Sequence, residues 1–249
     1  MKYREINMII DLIKKNIPEY KITLPTSKKK YSFRPLLVKE EKYFSIINNI
    51  ASTFEDKITN LCSMVNSCFD DKVKSLNFSV QDFQFAINSI RQKSIGETTK
   101  LKITCPYTKE PVVVNLDLND VKIESSKKDF LVKIKSDFIM KFRCPRMSDI
   151  LSFESFPETE EEYFDLTTQC LTEIQTPSET IQLEDVAIKE KREYVELIER
   201  KKYKLLKEFI CNSTVKFNIK YKSSDGIDRE IEVNDFVNFL KFYLVILTL

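Results

Sequence analysis

Two glycines in 249 residues constrain this chain more than any other feature. Glycine is the one residue that enters left-handed backbone without steric cost. A chain that holds only Gly96 and Gly226, far apart, has no P-loop, no G-x-G-x-x-G dinucleotide turn and no glycine-rich linker. Its sharp turns must come from proline, asparagine, aspartate and serine instead. Histidine and tryptophan are absent altogether. Without histidine there is no Ser-His-Asp or Cys-His nucleophile pair, no imidazole base and no imidazole metal ligand.

The remaining composition is that of a globular protein, with 42% hydrophobic and 31% charged residues. Forty basic side chains against 38 acidic ones leave a net charge of +2, far from the basic excess of a nucleic-acid binder. The densest basic run, Lys28-Lys29-Lys30, reads as a solvated turn between two strands. Six cysteines form no C-x-x-C pair, so spacing does not support a zinc site. The start, Met1-Lys2-Tyr3-Arg4-Glu5, lacks the apolar core of a signal peptide. The expectation is a reduced, intracellular setting with most thiols buried. Phe236–Leu249 is mostly apolar but shorter than the roughly 20 residues that cross a bilayer.

Periodicity divides the chain. Ile6, Ile9, Ile10, Ile13 and Ile17 mark a helix stopped by Pro18. Residues 20–24 and 31–33 alternate as strands around a Pro-Thr-Ser-Lys turn. From Val38 a helical register runs to Val65, as one helix or as two with a break near Ser52-Thr53. Ser79, with Asp82 at capping-box spacing, opens another helix, and Gly96 closes it. Residues 101–104, 112–116, 130–134 and 138–142 read as strands. Thr159 and Glu162 start a helix whose apolar side is predicted to include Leu166, Cys170, Leu171 and Ile174. The acidic cluster at 158–162 is explained by that helix N-terminus. Residues 186–211 read as one long charged helix, with ion pairs among Glu190/Lys191, Glu199/Arg200 and Lys207/Glu208. A final hairpin turns at Asp225-Gly226. Helix, hairpin and an Asn-Asp step thus occur twice, ending at Asn119-Asp120 and Asn234-Asp235.

Candidate chemistry is sparse. Cys105 and Cys144 each precede proline, and Arg143 and Arg146 flank Cys144, but no histidine base is available to activate either thiol. No carboxylate pair stands out. The sharpest segments are Phe33-Arg34-Pro35…Lys39-Glu40-Glu41-Lys42, an extended entry into a helix, and Ile90-Arg91…Lys93-Ser94-Ile95-Gly96-Glu97, a helix C-terminus closed by glycine.

These segments resemble the T-even bacteriophage baseplate hub assembly protein family, a family of tail baseplate proteins. Phe142-Arg143-Cys144-Pro145 resembles a later segment of that family. A weaker likeness continues through Cys170–Ile174 and the 186–211 region to Asp235-Phe236. The likeness covers roughly residues 24–240, and size and composition are closest to the hub assembly catalyst type. Many members carry a Cys-x-x-Cys knuckle after the Gly-Glu step, and some carry a similar pair in the last hairpin. Here Thr108 stands in the first, and Lys222 and Asp225 in the second.

The resemblance implies an α+β fold, with helices packed on short antiparallel hairpins and metal-free ribbon-like knuckles. Residues 1–249 form one family unit, divided into a helix-rich part (1–100), a β-rich part (101–145) and helices plus a hairpin (146–249). It implies no enzyme and no cofactor. Instead it points to an assembly factor that binds phage baseplate hub proteins in the host cytoplasm, with no nucleic acid and no transmembrane segment. The motif residues are Phe33, Arg34, Pro35, Glu40, Glu41, Lys42, Arg91, Ser94, Gly96 and Glu97. Phe236, Leu244, Val245, Ile246, Leu247 and Leu249 form an expected docking element, with burial in the core as the equal alternative. A stoichiometric hub component is the second reading, and a cysteine or carboxylate hydrolase a remote third.

Overall fold

The structure is a computed structural model that describes residues 2–69, 73–120, 127–211 and 217–233. Asn234-Asp235 and the expected docking element Phe236–Leu249 lie outside the described residues. Eight helices and ten short strands, all paired antiparallel, make an α+β fold among those residues. Helix α1, Lys2–Lys15, stops ahead of Pro18 as its isoleucine spacing predicts. Its described apolar side chains, Met8, Ile9, Ile10, Leu12 and Ile13, are all exposed, Ile13 to 62%.

Strands β1 (Tyr20–Thr23) and β2 (Lys30–Phe33) pair around the lysine turn, where Lys28 takes a left-handed φ of 57°. A 3-10 turn at Val38–Glu40 leads into α2, Glu41–Ile47. The chain breaks before α3, Phe54–Cys68, which opens on a reciprocal Thr53–Asp56 capping box. Helix α4, Val80–Ser94, is capped by the Ser79 hydroxyl. Asp82 does not complete a box there. It is buried, and its carboxylate accepts the amides of Thr26 (2.6 Å) and Ser27 (3.0 Å), pinning the β1–β2 turn to the helix. Gly96, at φ 132°, then turns the chain into the hairpin of β3 (Thr98–Thr104) and β4 (Pro111–Asp117).

Beyond it, β5 (Asp129–Lys135), β6 (Phe138–Arg143), β7 (Leu171–Gln175) and β8 (Thr180–Gln182) form one antiparallel sheet in that order. Helices α5 (Met147–Ile150) and α6 (Glu160–Gln169) lie between β6 and β7. This corrects the reading of Leu171 and Ile174 as the buried side of a helix. The helix ends at Gln169, and the Leu-Thr-Glu-Ile-Gln stretch pairs with β6 on one side and β8 on the other. Its alternating apolar residues serve a sheet as well as a helix, and two strand partners decide between them.

The 186–211 region is likewise two helices, α7 (Ile188–Glu196) and α8 (Arg200–Cys211). Arg192 on α7 bonds Asp165, and Lys207 on α8 bonds Glu160. A straight helix rises about 1.5 Å per residue, which would carry those two cations far beyond the reach of the short helix α6. The break at 197–199 brings both back to it. Ion pairs do lace these helices, Arg192–Glu196 at 3.5 Å and Lys202–Glu199 at 2.7 Å, but among the described residues they join positions three or four apart, because immediate neighbours on a helix point apart. Strands β9 (Phe217–Lys222) and β10 (Asp228–Val233) close the described chain around Gly226, at φ 82°.

Hairpin, helices, hairpin therefore occur twice: β1–β2 through β3–β4, and β5–β6 through β9–β10. One core spans both copies, with Leu24, Leu61, Phe83 and Ile87 from the first and Phe142, Met147 and Leu171 from the second all fully buried. The copies are also bonded directly. Val80 N–H donates to the Pro145 carbonyl (2.9 Å), and Met147 N–H donates to that of Phe78 (3.0 Å).

Candidate functional site

Each copy contains the same ionic clamp. In the first, Pro35 holds Arg34 extended at the end of β2. From there the Arg34 guanidinium grips Glu40, six residues on, through two bonds of 3.1 and 3.0 Å. It also donates to the carbonyls of Pro35 (2.9 Å) and of Ser67 near the end of α3 (2.9 Å). Glu40 in turn accepts the Leu37 amide (2.7 Å) and the Ser67 hydroxyl (2.9 Å). Burial works against the charged form of Glu40. The Arg34 guanidinium, the Leu37 amide and the Ser67 hydroxyl outweigh it and hold the pKa below its ordinary value.

The second clamp repeats these bonds. Arg143, at the end of β6, grips Asp149 six residues on, at 2.6 and 2.9 Å. It donates to the carbonyls of Cys144 (3.1 Å) and of Gln169 at the end of α6 (3.4 Å). Asp149 accepts the Arg146 amide at 2.7 Å, as Glu40 accepts that of Leu37. Even the backbone bonds match: the Arg34 amide donates to Cys68 and the Arg143 amide to Cys170, both at 3.0 Å. Fork-shaped pairing of this kind fixes direction as well as distance. Each clamp thus ties the end of a hairpin to the end of a helix, and sequence reading missed the pair. The available signal was Phe-Arg followed by proline, with a carboxylate six residues after the arginine, present at both 33–40 and 142–149.

The other motif residues also act inside the chain. Ser94 accepts the Leu36 amide (2.9 Å) and donates to the Ile90 carbonyl (2.6 Å). Buried Arg91 donates to the Gly96 carbonyl (2.7 Å). Glu97 pairs with Lys93 (3.2 Å) and Asn119 (3.2 Å). Glu41 and Lys42 are exposed or nearly so, and Phe33 is buried against Tyr20 and Phe69. The structure therefore gathers Arg34, Glu40 and Ser94 at one end of α4, with Arg91, Gly96 and Glu97 just beyond, and leaves Glu41 and Lys42 outside.

The two clamps differ in what lies over them. The first is sealed, with Glu40 1% exposed. The second opens on two sides. A cleft of about 630 Å³ runs from the β1–β2 turn to Arg143, Cys144 and Arg146. A smaller one, about 340 Å³, lies between Arg143, Asp149 and the start of α7. Cys144 is buried, with its thiol toward the Lys127 and Lys128 carbonyls (3.4 and 3.6 Å).

The turns of the last hairpins of the two copies meet. Cys105 Sγ lies 3.3 Å from the Tyr221 hydroxyl, and the Arg229 guanidinium stacks on the Tyr107 ring. Burial pushes the Cys105 thiol up, but donors from Thr108, Tyr221 and the Tyr107 amide outweigh it and bring it to about 6. The hydrogen bond to Cys105 and burial push the Tyr221 hydroxyl up to about 12. Ser223 occupies the place of Cys105 in the second turn: each donates its amide across the turn and accepts one back. The knuckle position is thus Ser223, one residue after the expected Lys222. A closed zinc site needs four soft or imidazole ligands, and this pair of turns supplies one thiolate against Thr108, Ser223 and Gly226. The donor set does not fit zinc. Among the described residues no cluster of acidic or thiol side chains is placed to hold a metal, and no helix is long and apolar enough to cross a membrane.

A family model described as T4 bacteriophage base plate protein matches residues 17–241. No curated protein and no solved structure matches the chain.

Proposed function

The chain belongs to the T4 bacteriophage base plate protein family, and from that premise we propose that it is an assembly factor for the baseplate hub. On this reading it works by binding hub subunits in the host cytoplasm and is not an enzyme. The observation that supports a binding role is α1, whose described apolar side chains Met8, Ile9, Ile10, Leu12 and Ile13 are all exposed. An isolated helix of this length is marginal in water, and its apolar side chains are costly to leave exposed. A partner groove that takes residues spaced three and four apart supplies the missing cover. The motif arginines are engaged in the fold, Arg34 with Glu40 and Arg91 with the Gly96 carbonyl.

An assembly factor that leaves the finished particle must bind the intermediate more tightly than the product. The test is co-expression with the phage hub subunits, followed by quantitation of the chain in purified tails. Co-purification with hub intermediates and absence from tails supports an assembly factor. A fixed stoichiometry in tails makes the chain a hub component instead. No association with any hub subunit ends the reading.

A further inference from the structure

The two repeats share a clamp but not what lies against it. Two and four positions after the clamp arginine stand Pro145 and Met147 in the second repeat, and Leu36 and Val38 in the first. The backbone between them is alike, extended at Arg146 (φ −101°, ψ 161°) and at Leu37 (φ −116°, ψ 166°). In the second repeat this step is occupied. The Pro145 carbonyl accepts the Val80 amide (2.9 Å), and the Met147 amide donates to the Phe78 carbonyl (3.0 Å), an antiparallel bridge centred on Ser79 and Arg146. Met147 is fully buried there. In the first repeat the Leu36 carbonyl and the Val38 amide make no hydrogen bond among the described residues. Val38, the counterpart of Met147, is 79% exposed.

We propose that residues 36–38 are an open docking edge for an extended apolar-x-apolar segment of a hub subunit, paired antiparallel as residues 78–80 pair with 145–147. The occupied repeat shows what fits. Phe78 and Val80 are buried on either side of a small polar residue and lead straight into α4. The third residue of such a segment is not proline, because its amide must donate. In strand addition the main-chain bonds give affinity and the alternate side chains give specificity. Residues 78–80 of a second molecule do not fill the edge, since each molecule bonds them to its own 145–147. The rim differs between the repeats: exposed Glu41 stands where Ile150 is buried, with exposed Lys39 and Lys42 on either side. Charge there keeps the edge soluble while it is bare. That a hub subunit is the occupant rests on the proposed function; the edge itself rests on the repeat.

The full chain is tested as Val38→Pro and Val38→Asp. Proline removes the amide hydrogen, keeps the φ of the 3-10 turn, and follows a residue that is already extended. Aspartate keeps the amide and removes the apolar side chain. Both variants should keep the wild-type urea midpoint and bind hub subunits at least about tenfold more weakly. Wild-type hub binding by Val38→Pro overturns the edge and leaves the hub reading standing. A lowered midpoint in both variants would show that the edge is satisfied within the chain, and overturns it as well. If no hub subunit binds the wild type, the hub reading fails, and the edge is read alone by adding a peptide of residues 76–94 to the 15N-labelled chain. A saturable shift of the Val38 amide keeps the edge, and no shift overturns it. Self-association that Val38→Pro abolishes would assign the edge to a second molecule and overturn the hub as its occupant.

Discussion

Arg34 and Arg143 show how much a residue's role depends on partners that sequence spacing hides. Removing one member of a buried ion pair leaves the other charged and unsatisfied, at a cost of about 3–5 kcal/mol. Glu40→Gln should therefore destabilise the chain by that order in urea unfolding at neutral pH. The pH dependence has a definite sign. The Glu40 pKa is held below 4.5 in the fold, so its stabilisation is complete above 4.5 and is lost as pH falls through the folded value. The wild type should weaken over that acid range more steeply than Glu40→Gln, and parallel acid limbs would contradict the clamp. Both arginines were visible in sequence as part of sharp segments. Glu40 was visible in the same segment as Arg34 but not as its partner, and Asp149 was not distinguished at all, because no local rule links positions six apart across an extended turn.

At the scale of the element, local signals were reliable where the cause was local. The Thr159–Glu162 box starts α6 with both reciprocal bonds in place. Thr159→Ala should cost about 1 kcal/mol, read as a lower thermal midpoint. Pro18, Gly96 and Gly226 likewise end or turn the chain where sequence puts them. Helix α1 gives the opposite prediction. Its described apolar side chains are exposed, so Ile9→Ser with Ile13→Ser should change unfolding free energy by less than about 0.5 kcal/mol. The same pair should abolish binding to hub subunits. A large loss of stability would mean that the helix packs on its own chain. Elements failed to be legible where a partner decided them, as in β7 between β6 and β8, and in the break between α7 and α8 over α6.

The whole molecule is two similar units built into one core. Leu24, Leu61 and Phe83 share it with Phe142, Met147 and Leu171, and the start of α4 is bonded to the segment that follows Arg143. Neither unit should fold alone: residues 1–126 and 127–249, expressed separately, should show broad non-cooperative unfolding, and co-expression should restore one sharp transition. Two independent sharp transitions would refute the shared core. Deleting 244–249 tests the expected docking element in the same way. A folded product that no longer binds hub subunits supports it, and unchanged binding dismisses it.

The sequence by itself determined several helix starts, the stop before Pro18 and the hairpin turns, because caps, prolines and glycines act within a few residues. It also carried half of the repeat, the two hairpins that follow a helix. Tertiary structure decided the rest: that Asp82 locks a distant turn, and that two clamps share one geometry. Those outcomes turn on which groups meet after the chain has folded back on itself. Burial sets the strength of a charge only once that meeting has excluded water.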